Sequence, residues 1–157
     1  MPAATTHNIE ARLRDLGLSL PQLASPKGNY LPALSTGHLL YLSGALPLWE
    51  GELRYSGAVG AEQTLEAGYE AAKLCALNSL AVIKAELGSL DAIEQIVSVS
   101  GYVYGKPGFA DSPQVINGAS DLLVELLGDR GKHTRAAVTV AGLPLQASVE
   151  IQMVLAK

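Results

Sequence analysis

The run His133-Thr134-Arg135-Ala136-Ala137-Val138-Thr139-Val140, the turn Gly142-Leu143-Pro144 and the run Val149-Glu150-Ile151-Gln152-Met153 close the chain. Both runs have the length and the Val, Ile and Thr content of strands. Each carries one charge, Arg135 in the first and Glu150 in the second. Charged side chains are rarely set inside apolar strands unless they are paired or used. Three readings stay open on these residues alone. Arg135 and Glu150 form a structural ion pair; or Glu150 is solvated on an edge strand; or the two belong to a site for a small anion. In the last case Arg135 would grip a carboxylate through parallel N–H···O bonds, and Glu150 would act as a general base on water.

Working outward, Ile96 to Tyr104 alternates as a half-buried strand, with Val97, Val99 and Val103 expected on one face and Ser98, Ser100, Tyr102 and Tyr104 on the other. Asp111-Ser112-Pro113 starts a helix whose buried stripe is Val115, Ala119, Leu122 and Leu126, closed by Gly128. Ala61 to Leu87 is the longest helical pattern, with Ala72, Ala76, Leu80, Ile83 and Leu87 on one face and Gly88 at its end. Tyr30 to Leu34 and Leu39 to Ser43 read as two strands joined through Gly37. Glu50-Gly51-Glu52 suits a small hairpin, and Asn8 to Leu16 a short helix. The order β-β-α-β-α-β-β predicts an α+β domain with two long helices on one face of a mixed sheet.

At 157 residues the chain suits one core. Apolar residues make up 48% and charged ones 17%, an excess that part of a subunit interface would absorb. Net charge is −4 with no basic run, and aromatics are 5%, so neither the electrostatic footprint nor the stacking platform of a nucleic-acid binder is present. No apolar run is long enough for a membrane span, and the N-terminus lacks the pattern of a signal peptide. The single Cys75 rules out an internal disulfide framework and makes a reducing cytoplasm the expected compartment. Cys75 is expected as a buried hydrophobe, and His7, His38 and His133 have no metal-ligand spacing.

Gly28-Asn29-Tyr30, Leu42-Ser43-Gly44-Ala45-Leu46-Pro47, Asn117, Thr134-Arg135-Ala136-Ala137, Gly142-Leu143-Pro144 and Val149-Glu150-Ile151 together resemble the RidA/YjgF-like family of reactive-intermediate deaminases. The resemblance runs from about Gly28 to Ala156 and is to a longer branch of that family. It divides the chain into an N-terminal helix and linker, residues 1–27, and a RidA/YjgF-like α+β domain, residues 28–157. It implies a chorismate-mutase-like fold, a homotrimer with clefts between subunits, and no metal or organic cofactor. The implied reaction is hydrolysis of small 2-imino or 2-enamino acids to 2-oxo acids and ammonia. Arg135 would bind the substrate carboxylate and Glu150 would position or deprotonate the water. The backbone at Ala137 would contact the imine nitrogen, and Tyr30, Ser43 and Gly44 would line the cleft. Ala137 stands where many members have Cys, and His133 where many have a small residue or proline, so His133 either tunes the cleft or is a surface histidine. The alternative function is a trimeric sensor or carrier of small carboxylates without turnover. The ribonuclease activity attached to some members fits poorly with the acidic balance.

Overall fold

The computed structural model describes residues 8–157; His7, weighed above as a metal ligand, lies outside them. Helix α1 (Ile9–Asp15) starts where the Asn8 side chain accepts from the Ala11 N–H at 2.8 Å. Its Ile9 and Leu13 are buried in the common core, and the Ile9 N–H donates to Asp91. Strands β1 (Ala33–Thr36) and β2 (Leu39–Leu42) form the first hairpin. Tyr30 to Pro32, expected in β1, precede it as irregular chain. A second hairpin pairs β3 (Leu48–Trp49) with β4 (Glu52–Leu53). Its turn holds Glu50 and Gly51 at φ 52 and 78, the two left-handed positions of a type I′ turn.

Helix α2 (Leu65–Leu87) begins later than the periodicity suggests, because Thr64 caps it by accepting from the Ala67 N–H. Gly88, left-handed at φ 83, ends it. Then follow β5 (Gln95–Tyr104), α3 (Ser112–Leu127), β6 (Thr134–Val140) and β7 (Val149–Ala156).

The main sheet runs β1-β2-β7-β5-β6. Only β5 and β6 are parallel, and α3 supplies the crossover that such a pair requires. The expected mixed sheet with long helices on one face is therefore present, with α1 as a third, short helix. Val99, Gly101 and Val103 of β5 and Val149, Ile151, Met153 and Leu155 of β7 are buried in the helix-covered core. Val97 is a correction: a register shift between Ile96 and Ser98 turns it away from Val99, and it is 38% exposed. The reverse face of the sheet carries Leu34, Tyr41 and Val138, all exposed, with none of the described residues covering them.

Helices α2 and α3 touch backbone to backbone at Gly118, where any Cβ would collide with the Tyr69 carbonyl. Gly118→Ala is expected to destabilise the fold by about 2 kcal/mol or more through overpacking. Gly142→Ala, with nothing within 4 Å of the new methyl group, is expected to change stability by less than about 0.5 kcal/mol. Urea denaturation of the two variants checks the contrast; equal midpoints would contradict it.

Candidate active site

β7 is the last strand, yet it lies between β2 and β5, hydrogen-bonded on both sides. Tyr41 pairs with Val154 and Ala45 with Ile151, so the segment leaving β2 holds one residue more than its partner. That bulge contains Ser43 and Gly44. The Ser43 hydroxyl donates to the Leu31 carbonyl at 2.6 Å and its N–H to the Pro32 carbonyl at 2.9 Å, which fixes the chain carrying Tyr30. Gly44 lies against Glu150, and a Cβ there would come 2.6 Å from Oε1. Tyr30, Ser43, Gly44 and Glu150 thus border one cavity of about 430 Å³.

Leu145 also borders it, at φ 58, with Gln146 at φ 59. Two successive non-glycine residues in the left-handed region are strained, as chain near functional sites often is. Hydrogen bonds from Gln146 N–H to Leu143 and from Ala147 N–H to Pro144 hold the turn.

Glu150 is half-buried, and among the described residues no side chain hydrogen-bonds or pairs with its carboxylate. Burial pushes its pKa above the ordinary carboxylate value, because the charged form loses hydration without a compensating cation. The nearby Cys75 thiol is fully buried and is pushed well up, first by burial and then by the Glu150 charge. It is an inert hydrophobe, as expected.

Arg135 lies elsewhere. Its register partner on β5 is Val99, on the helix side of the sheet. Nη1 donates to Asn117 Oδ1 at 2.7 Å and to Ser120 Oγ at 3.1 Å, and Nη2 donates to the Pro113 carbonyl at 3.4 Å. All three acceptors are neutral and belong to α3. A guanidinium has five N–H donors, so two remain for a ligand.

His133 Nδ1 lies 2.6 Å from the Gly131 carbonyl, and its Nε2 lies 2.9 Å from Ser120 Oγ. A carbonyl only accepts, so Nδ1 carries the proton. With the proton on Nδ1 alone, Nε2 accepts the Ser120 hydroxyl proton, while Ser120 accepts from Arg135. The relay sets the direction of each bond and immobilises the guanidinium. Asn117, Ser120, His133 and Arg135 share a shallow depression of about 300 Å³ with Lys132. His133 is therefore part of the arginine's support, and neither ring nitrogen is left free.

Glu150 pairs with Tyr102 and Arg135 with Val99, three residues apart along β5 and on strands either side of it. Strand spacing puts their Cα atoms about 14 Å apart. Alternation puts their side chains on opposite faces of the sheet. The internal ion pair left open by the sequence is excluded. Tyr30, Ser43, Gly44 and Glu150 come together, whereas Arg135, His133 and Ala137 lie on β6 or beside it, at the sheet's edge. Ala137 packs on the core beside Gly101.

Ser120 escaped the sequence reading. Its signal was its place one helical turn beyond Asn117, on the same face of α3. Among the described residues no three His, Cys, Asp or Glu side chains converge as a metal site would require, and no helix is long and apolar enough to cross a membrane.

The sequence profile of the family described as "YjgF/chorismate_mutase-like, putative endoribonuclease" matches residues 10–156. The chain is similar to the protein Atu1372, of unknown function, from Agrobacterium tumefaciens. They share 43% identity over 95% of this chain and 91% of that one, with a TM-score of 0.88. It is similar also to a structure from Shewanella oneidensis MR-1 described as "a putative endoribonuclease", at 35% identity over 96% and 99% of the two chains, with a TM-score of 0.93. With RidA from the Antarctic bacterium Psychrobacter sp. PAMC 21119 it shares 26% identity over 86% and 94%, with a TM-score of 0.62.

The raised pKa of Glu150 has a consequence for stability. The folded state favours the protonated carboxyl, so that stabilisation is full at low pH and is lost as pH rises through the raised pKa. Glu150→Gln, which cannot ionise, is expected to exceed the parent in urea midpoint at neutral pH and to converge with it near about pH 4. Denaturation at both pH values checks this, and a variant less stable than the parent at neutral pH would contradict it.

Proposed function

The chain belongs to the YjgF/chorismate-mutase-like family, and on that footing we propose that it hydrolyses small 2-imino and 2-enamino acids to 2-oxo acids and ammonia. The reaction takes place in clefts between the subunits of a cytoplasmic homotrimer. The observation that carries the proposal is the separation of the two charges. A rigid cation with spare donors lies at the edge of the sheet, and an unpaired carboxylate borders a separate cavity beside the bulge at Gly44. Neither neutralises the other, so each keeps its chemistry for a ligand held between two copies of the chain. The uncovered face with Leu34, Tyr41 and Val138, and the unpaired edge of β6, supply apolar and hydrogen-bonding surface for such an assembly.

In that cleft Arg135 binds the substrate carboxylate with the donors α3 leaves free. Glu150, more basic than an ordinary carboxylate, accepts a proton from water as the oxygen attacks the electrophilic carbon of the C=N bond. The imine nitrogen, against the backbone at Ala137, takes up a proton. The carbinolamine so formed expels ammonia as its C–N bond breaks and the carbonyl forms. Imine and water are consumed, 2-oxo acid and ammonia are released, and no redox change occurs. Orientation of an already reactive carbon and one activated water suffices for such a step. Tyr30, Ser43 and Gly44 border the cleft on the Glu150 side.

A threonine dehydratase that releases 2-iminobutyrate in the assay provides the test. The protein is expected to accelerate loss of the imine. Arg135→Ala is expected to lower kcat/KM at least about a hundredfold, since two charge-assisted bonds of about 1.5–3 kcal/mol each are removed. Glu150→Gln is expected to lower kcat about 10²-fold or more. The acid limb of the pH profile should fall above the ordinary carboxylate range, because Glu150 must be ionised to accept the proton, and should vanish in the Gln variant. No acceleration, or an unchanged rate in Arg135→Ala, would overturn the proposal. Calorimetric binding of 2-oxo acids without turnover would assign the protein instead as a carboxylate sensor or carrier.

A further inference from the structure

We propose that the inner part of the Glu150 cavity receives the substrate's side chain, and that this chain favours 2-imino acids with an apolar side chain of four or more carbon atoms. The inference rests on the deaminase reading and concerns the same site. The cavity's volume of about 430 Å³ falls in the range that accommodates drug-sized ligands, ~300–1,000 Å³. A three-carbon imino acid leaves most of it empty.

The polar groups that would meet the reacting atoms lie together at one end, formed by Tyr30, Ser43, Gly44 and Glu150. Away from them the lining is mostly apolar, with Ser25, Lys27, Asn78 and Ser79 as its polar members, and it comes from three parts of the fold. Leu23 and Pro26 precede the first strand, Leu48 and Leu53 lie on the small hairpin, and Val82 lies on α2. Asn78 ties two of these walls together. Its Nδ2 donates to the Leu48 carbonyl at 2.8 Å and to the Leu74 carbonyl at 2.9 Å, which uses both amide hydrogens and pins the hairpin to α2.

Leu23, which lines the cavity, is 52% exposed and so offers apolar surface for a ligand to cover. Among the described residues, Lys27 is the only charged one besides Glu150 that lines the space. A long apolar group would be desolvated here, and a short one would leave the walls wet.

The 2-oxo acids are stable products with the same carboxylate, so their binding by the whole protein can be measured by calorimetry. Each added methylene that enters the cavity should tighten binding about fourfold, so 2-oxohexanoate, longer by two methylenes, should bind roughly fifteenfold more tightly than 2-oxobutyrate. Val82→Phe and Leu53→Phe fill the cavity from separate walls, and either should bring that ratio close to one. Two variants guard against a folding failure in one, and a purely structural role for these residues would not change a chain-length ratio. Imines released from norleucine and alanine by an amino-acid oxidase should show the same order in kcat/KM.

A flat or inverted chain-length series, or a ratio that survives both fillings, would overturn the proposal. So would tightest binding by 2-oxoglutarate, which would assign the cavity to a second carboxylate at Lys27. A chain-length trend in binding without hydrolysis of any imine would defeat the deaminase reading and support the cavity assignment. Hydrolysis that is indifferent to chain length would do the reverse.

Discussion

The position of β7 governs the molecule. A strand hydrogen-bonded on both edges, between β2 and β5, must satisfy two registers at once, and a slip of one residue would exchange its faces. Val149, Ile151, Met153 and Leu155 hold that register by burial against the helices. With them inward, Glu150 has to stand on the opposite side, opposite Tyr102 and against the bulge at Gly44. The β5–α3–β6 crossover then carries Arg135 to the far side of β5, under α3. The distance between the two charges is thus a consequence of strand order, and no side-chain rotation can close it.

The two charges are treated differently by their surroundings. Arg135 meets only neutral acceptors, the Asn117 amide, the Ser120 hydroxyl and the Pro113 carbonyl. They restrain it without cancelling its charge, which lowers the entropy lost when it grips a ligand. Glu150 meets no donor among the described residues and loses hydration, which raises its basicity. A carboxylate paired with arginine would be a poor base, and an arginine paired with a carboxylate a poor anion clamp. Separation within one chain preserves both properties.

Much of the architecture was legible in the residues. The left-handed Gly88 and the apolar stripes of α2 and α3 are local features, and the helices formed over them, although the Thr64 cap starts α2 four residues later than the periodicity suggests. The Glu50-Gly51 turn was legible through Gly51, since a left-handed turn position favours glycine. Val97 shows the limit. Strict alternation places it with Val99, but the register shift depends on how β5 meets β7, a contact between residues more than fifty positions apart. Tyr30 was expected in a strand and lies outside it, tied instead through Ser43 to the chain around Leu31 and Pro32.

The same division holds at the site. Composition and spacing by themselves determined the fold class, the two long helices with their closing glycines, and the identity of Arg135 and Glu150 as the charges to explain. These follow from short-range preferences and from the high cost of placing charge in apolar strands. Whether the two charges pair was beyond the sequence, because their separation of fifteen positions is compatible with adjacent strands and with strands flanking a third. Only the tertiary structure decided it, by inserting β5 between β6 and β7 and turning the two side chains to opposite faces. It also decided that Ser120 and His133 hold the arginine, and that segments from three parts of the chain enclose one cavity beside the glutamate. Each of these depends on long-range packing, which no local pattern encodes.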